Sequence, residues 1–129
     1  MKKAIKIDVE QKKIYYIEIG DYQTIYPAIG NGCNTFTIPL DYPNGDALYC
    51  DDEGCMQSEI KGGFTMQDFR EGVMIVNNAI ILGTDSEGES VDALSDIDEI
   101  AEGIIFVDEN MARDYAHRTL NRPIEIITW

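Results

Sequence analysis

The sequence predicts an α+β fold: a mixed or mainly antiparallel sheet of about six strands, with two or three helices packed on one face. Three observations support this prediction. Apolar residues alternate at period two near the N-terminus, short β-branched segments end in glycine or acidic turns, and helical patterns follow residue 95. The length of 129 residues and an apolar fraction of 44% are typical of one folded domain, which we place over residues 1–129.

The first two strands are predicted from their alternation. Residues 3–9 place Ile5, Ile7 and Val9 on one face, and residues 14–19 resume the pattern after a polar turn. The two segments therefore form a β-hairpin. Asp21 then serves as the N-cap of a short helix that ends at a glycine-rich turn.

The middle of the chain predicts two strands joined by a turn. Residues 33–40 form the first, and Pro39 either places it at an edge or marks its end. Residues 42–46 hold Pro and Asn-Gly, which suit a tight turn, and residues 47–50 form the second strand.

A short helix is predicted after the Gly62-Gly63 break. Thr65, with Asp68 three residues later, resembles a capping box, so the helix extends through residue 71. The later elements follow from β-branched runs and helix caps. They are strands at 73–76 and 79–82, a helix at 95–102, a strand at 104–107, a helix at 109–121 and a strand at 124–129.

One design recurs along the chain: an apolar strand runs into an acidic, glycine-containing turn. It occurs at residues 79–90, at residues 47–54 and, more loosely, at residues 103–109. Carboxylates that follow a buried strand keep the turn in solvent, which is the structural explanation. The functional alternative is a binding surface.

The charge of the chain bounds its partners. Lys plus Arg is 10 and Asp plus Glu is 24, a formal net charge of −14. This argues against direct binding to nucleic acid or to an anionic membrane, and it permits steering toward basic proteins. Half of the positive charge lies in the N-terminal hairpin, at Lys2, Lys3, Lys6, Lys12 and Lys13.

Two long windows, residues 14–60 and 71–112, contain no Lys or Arg. If the acidic turns within them lie side by side, they form one negative surface facing away from the lysines. A solvated face with no partner is the alternative. The residues that we predict to bind a basic protein partner are Asp51, Asp52, Glu53, Asp85, Glu87, Glu89 and Asp92.

We predict no metal and no cofactor. The acidic turns offer oxygen ligands for Ca²⁺ or Mg²⁺ but do not match the EF-hand loop. Cys33, Cys50 and Cys55 are an odd number without zinc-site spacing, which indicates free thiols in a reducing compartment. A catalytic pairing of Cys33 or Cys50 with His117 lacks any supporting motif, so no catalytic residue is predicted.

A cationic cluster near the C-terminus gives the alternative function. Arg113, His117, Arg118 and Arg122 lie on the last predicted helix, where cations complement the macrodipole. In the functional alternative, these four residues line a phosphate site, and the chain is a small-molecule binder that sequesters a nucleotide-like signal.

The sequence predicts a cytoplasmic protein. Residues 1–5 resemble the start of a signal peptide, but the residues that follow do not continue the pattern. The sequence has no run of about 18 apolar residues that would predict a membrane span. The apolar strand predicted at residues 124–129 could pair with a second chain, so both a monomer and a homodimer remain open.

Several of these segments resemble a family of small uncharacterised proteins of phages and mobile elements, DUF3846. The resemblance rests on Lys3-Ala4-Ile5-Lys6-Ile7-Asp8, on residues 47–54 and on residues 80–89, followed by the helix from Ser95. It covers about residues 1–102, so residues 103–129 are a strand-helix-strand addition. It implies a phage or mobile-element origin and no transferable catalytic motif.

The charge pattern and the resemblance together predict a non-enzymatic acidic binding protein. Such a protein would dock on a basic host protein, as a nucleic-acid mimic or a counter-defence inhibitor.

Overall fold

The computed structural model describes residues 1–69 and 72–120, which form nine strands and three helices. The strands are β1 Lys2–Asp8, β2 Lys13–Ile19, β3 Phe36–Asp41, β4 Asp46–Asp51, β5 Gly63–Met66, β6 Ile75–Val76, β7 Ala79–Thr84, β8 Ser90–Val91 and β9 Ile104–Val107. The helices are α1 Ile25–Ile29, α2 Ile97–Glu102 and α3 Glu109–Leu120.

The larger sheet is antiparallel and has six strands. Five run in the spatial order β2-β1-β7-β4-β3, and β8 pairs with the end of β7. The predicted hairpin is its first pair, with Lys2 opposite Ile19 and Asp8 opposite Lys13. The α+β class with a six-stranded, mainly antiparallel sheet is therefore confirmed.

Both faces of the larger sheet are buried, because its side chains alternate between two cores. Ile5 and Ile81 pack with Phe64 of the second sheet and with Ile100 of α2 on one face. On the other face, Ile80 belongs to the core that α1 covers. The helices thus divide between the faces, whereas the sequence prediction placed them on one.

A second, three-stranded sheet has the order β6-β5-β9. Its central strand β5 covers the start of the helix predicted at residues 65–71, so that prediction is wrong. Phe64 is fully buried, and Phe64 and Met66 pair with Phe106 and Ile104 of β9. Pairing on both edges of β5 supplies more hydrogen bonds and burial than an isolated helical turn with a weak cap.

The last described elements pack on the outer side of this second sheet. Asp108 accepts a hydrogen bond from the Met111 amide at 2.8 Å and begins α3, whose buried Ala112 and Ala116 contact Val107. The predicted strand at residues 124–129 lies outside the described residues. No helix within residues 1–69 and 72–120 is long and apolar enough to cross a membrane.

Candidate functional site

The two acidic turns lie at opposite ends of the larger sheet. β4 and β7 are antiparallel neighbours, with Asp46 opposite Gly83 and Cys50 opposite Ala79. The turn after β4 therefore lies beside the start of β7, about 17 Å along the strands from the turn after β7. The condition for one negative surface, that the two turns lie side by side, is not met, because antiparallel pairing reverses the strands that precede them.

The turn after β7 joins a larger acidic region, which we call the acidic end. It comprises the turn, β8, the loop after it and α2, and all eight of its carboxylates are exposed. They are Asp85, Glu87, Glu89, Asp92, Asp96, Asp98, Glu99 and Glu102.

The buried residue Asp46 binds the loop of the acidic end that leads into α2. Its side chain is 1% exposed and accepts hydrogen bonds from the Leu94 amide at 3.0 and 3.1 Å and from the Ser95 amide at 2.7 Å. A neighbouring bond, from Asn44 Nδ2 to Ser95 Oγ at 3.1 Å, ties the β3–β4 turn to the same loop. These contacts fix the loop that leads into α2 against the start of β4.

Three of the eight carboxylates also have structural roles. Asp85 accepts hydrogen bonds from two backbone amides of its own turn, both at 2.9 Å, and Asp96 caps α2. Asp92 accepts a bond from the Lys3 backbone amide at 2.7 Å. The other five have no such bond within residues 1–69 and 72–120. They are Glu87, Glu89, Asp98, Glu99 and Glu102.

The carboxylates of the acidic end are not neutralised by ion pairs. The ion pairs found in the described part of the chain join Lys61 to Glu59 and two arginines of α3 to carboxylates of the same helix. None of them involves the acidic end. Its negative charge is therefore not neutralised by an ion pair within the described residues and can attract a basic partner.

The sequence analysis placed the lysines of the hairpin away from the carboxylates. The structure does not separate them in this way. Because β1 is antiparallel to β7, with Ile5 opposite Ile81, Lys2 and Lys3 lie beside the acidic end. Lys3 Nζ stands 4.7 Å from the centre of the Tyr16 ring. Lys12 and Lys13 lie at the opposite end, so a few cations border each acidic region.

The turn after β4 is a weaker candidate. Asp51 is 7% exposed and accepts bonds from the Glu53 amide and from Gln57 Nε2, both at 2.8 Å. Its carboxylate therefore builds the turn. Asp52 and Glu53 are exposed. This turn therefore presents two exposed carboxylates, whereas the acidic end presents eight.

The alternative cationic site receives no support from the geometry. Arg113 pairs with Glu109 at 2.6 Å, and Arg118 pairs with Asp114 at 3.0 Å. His117 also lies on α3, and Arg122 lies outside the described residues. Because a carboxylate of the same helix occupies each described guanidinium, the phosphate site stays a prediction.

The cysteine thiols are poorly suited to nucleophilic chemistry. Burial, reinforced by the Asp51 carboxylate, raises the pKa of Cys50 to about 12 and that of Cys33 to about 11. Burial also raises the pKa of Cys55. A nucleophile needs the thiolate, so these protonated thiols argue against a catalytic role. Residues 1–69 and 72–120 contain no group of three or more His, Cys, Asp or Glu arranged to hold a metal ion.

Sequence reasoning missed part of this site. The four carboxylates of residues 96–102 were seen within a window free of Lys and Arg but were not assigned to the partner surface. The absence of Lys and Arg over residues 71–112 was the signal that could have assigned them to this surface. Asp46 gave no signal, because its role depends on amides almost 50 residues away.

Comparison with known proteins gives one informative result. A family model described as Domain of unknown function (DUF3846) matches residues 1–105. No curated protein and no solved structure matches the chain. The matched range includes both turns and all of the acidic end.

Proposed function

The chain belongs to the DUF3846 family, and from that premise we propose that it is a non-enzymatic binding protein whose acidic end docks on a basic protein partner. In the form that we propose, the chain is a phage or mobile-element factor. Its partner is a host protein that handles nucleic acid or acts in defence.

One observation carries this proposal: eight exposed carboxylates lie within residues 85–102, and that segment holds no Lys or Arg. Because no described ion pair involves these carboxylates, this end of the molecule has a net negative potential, with Lys2 and Lys3 at its border. Such a potential speeds encounter with a positive surface and repels anions, including nucleic acid. A cationic groove that normally holds a phosphate backbone has the complementary charge.

The test is affinity capture from a bacterial lysate with three immobilised baits. They are the unmodified chain, an acidic-end variant (Glu87→Gln, Glu89→Gln, Asp98→Asn) and an opposite-end variant (Glu10→Gln, Asp52→Asn, Glu53→Gln). All six side chains are exposed, and both variants change the net charge by the same amount. The two variants therefore differ only in where the charge is removed.

We expect a basic protein that the unmodified chain and the opposite-end variant capture equally and the acidic-end variant loses. The purified pair should dissociate as the salt concentration rises from about 50 to about 500 mM, because exposed charges are screened over roughly 10 Å or less. Equal capture by all three baits, or binding indifferent to salt, would refute docking through the acidic end.

A further inference from the structure

A cavity of about 360 Å³ opens at the border of the acidic end. It lies between the β3–β4 turn, the segment after β5 and the start of α2. Tyr42, Met66 and Ile100 are among its lining residues, and so are the acidic residues Asp68 and Glu99. Its volume is in the range of sites that hold a small ligand or a side chain.

Tyr42, which lines this cavity, carries a polar group that solvent does not reach. Its hydroxyl oxygen is buried and has no hydrogen-bond partner among the described residues. Burial first, and then the carboxylates of Asp68 and Asp46, raise the pKa of Tyr42 to about 12. The hydroxyl is therefore protonated at neutral pH. Asp46 is already bonded to the Leu94 and Ser95 amides, so it does not need this hydroxyl.

These groups select the chemistry of an occupant. Two exposed acidic residues, Asp68 and Glu99, line the cavity together with apolar residues, and no Lys or Arg is among its described lining residues. Among the described lining residues, none has a positive charge that would attract an anion. An ammonium or guanidinium group on an aliphatic stem can bond to the carboxylates while its stem covers Met66 and Ile100.

A second cavity adjoins the first and shares Met66, Gln67 and Gly103 with it. Its volume is about 310 Å³, and Phe69, Val73 and Ile105 contribute to its lining. The side chain of Ile105 is 68% exposed. A ligand that continues from the first cavity therefore finds an apolar surface next to it, which suits a polypeptide better than a free amine.

We propose that the first cavity receives a lysine or arginine side chain from the basic partner, while a neighbouring residue of the same partner segment covers the second cavity. This inference rests on the proposed function and adds the recognition element. The acidic end attracts the partner, and the inserted cation fixes its register.

The test is an NMR titration of the full chain with defined probes. The probes are N-acetyl-arginine amide, N-acetyl-lysine amide and the neutral isostere N-acetyl-citrulline amide. We expect saturable amide shifts at Gln67, Ser95 and Gly103 with a cationic probe and none with citrulline. Asp68→Asn with Glu99→Gln should weaken binding about tenfold, whereas Asp52→Asn with Glu53→Gln, the same charge change elsewhere, should not.

Two further arms make the inference falsifiable. A tripeptide that adds leucine next to the arginine should bind more tightly than the capped arginine, and the free amine agmatine should not. Tighter binding of agmatine, equal binding of citrulline, or equal weakening by both variants overturns the inference. If these probes fail but the acidic-end variant still loses its partner in the capture experiment, only the inference fails. If the probes bind and capture fails, the proposed docking fails.

Discussion

The carboxylates of this protein divide by side-chain length. Asp51, Asp85 and Asp96 each accept a hydrogen bond from the backbone amide two residues on, in their own turns or caps. The glutamates of the acidic end accept none that the structure describes. A one-carbon side chain reaches its own backbone two residues on, whereas a longer one extends into solvent. The aspartates therefore build the turns, and the glutamates supply most of the free charge.

Tyr42→Phe should leave the free energy of unfolding unchanged or raise it by about 1 kcal/mol. A buried hydroxyl without a partner costs stability, and phenylalanine fills the same space without that cost. Urea denaturation of the variant and the unmodified chain measures the difference. A loss of more than about 1 kcal/mol would show that the hydroxyl has a hydrogen-bond partner within the fold.

The buried thiols predict a dependence of stability on alkaline pH. Burial, with the Asp51 carboxylate, raises the pKa of Cys50 from its ordinary 9.0 to about 12. Between these values the unfolded chain has lost the thiol proton and the folded chain still holds it. The contribution of this thiol to stability is therefore complete below pH 9 and is lost as the pH rises toward 12.

Urea denaturation at about pH 8 and about pH 10.5 should detect this loss. The Cys50→Ala variant provides the control, because other groups such as Tyr42 titrate in the same range in both proteins. The unmodified chain should lose more stability than the variant between the two pH values. Parallel losses would mean that Cys50 ionises alike in the folded and unfolded states.

Among the elements, the β7–β8 hairpin shows why a glycine occupies the position before the last residue of an apolar strand. A Cβ at Gly83 would collide with the carbonyl oxygen of Asp92 and lie 3.1 Å from a methyl group of Val91. The chain after β8 crosses so closely that no side chain fits. Gly88, in the turn of the same hairpin, has φ +83° and open space around it.

Gly83→Ala should destabilise the protein by about 2–3 kcal/mol, because backbone atoms must move to accept the methyl group. Gly88→Ala should cost only about 1 kcal/mol, the strain of a left-handed residue in solvent. Thermal denaturation of both variants tests the contrast. If the two changes cost the same, β8 does not approach β7 as closely as the structure has it.

For the whole molecule, a net charge of −14 means that folding works against self-repulsion. The melting temperature should therefore rise when the NaCl concentration increases from about 10 to about 200 mM. The acidic-end variant should reduce this salt dependence more than the opposite-end variant, since eight exposed carboxylates lie within residues 85–102, whereas the turn after β4 exposes only Asp52 and Glu53. An equal reduction by both variants would indicate that the repulsion is spread evenly over the surface.

Local patterns in the sequence were sufficient to predict many of the strands and helices of this protein. Period-two alternation located the hairpin, and caps at Asp96 and Asp108 located α2 and α3. The family followed from short segments of strand, turn and helix within about residues 1–102. Each of these features depends on residues a few positions apart, so each can be recognised in the linear chain.

Tertiary structure alone decided the state of residues 63–66, the position of the acidic turns and the existence of the Tyr42 cavity. β5 is a strand because β6 and β9 pair with both of its edges. The acidic turns separate because β4 and β7 run in opposite directions. Such pairings join residues far apart in the chain, and their free energy is gained only when distant segments meet, which no local period records.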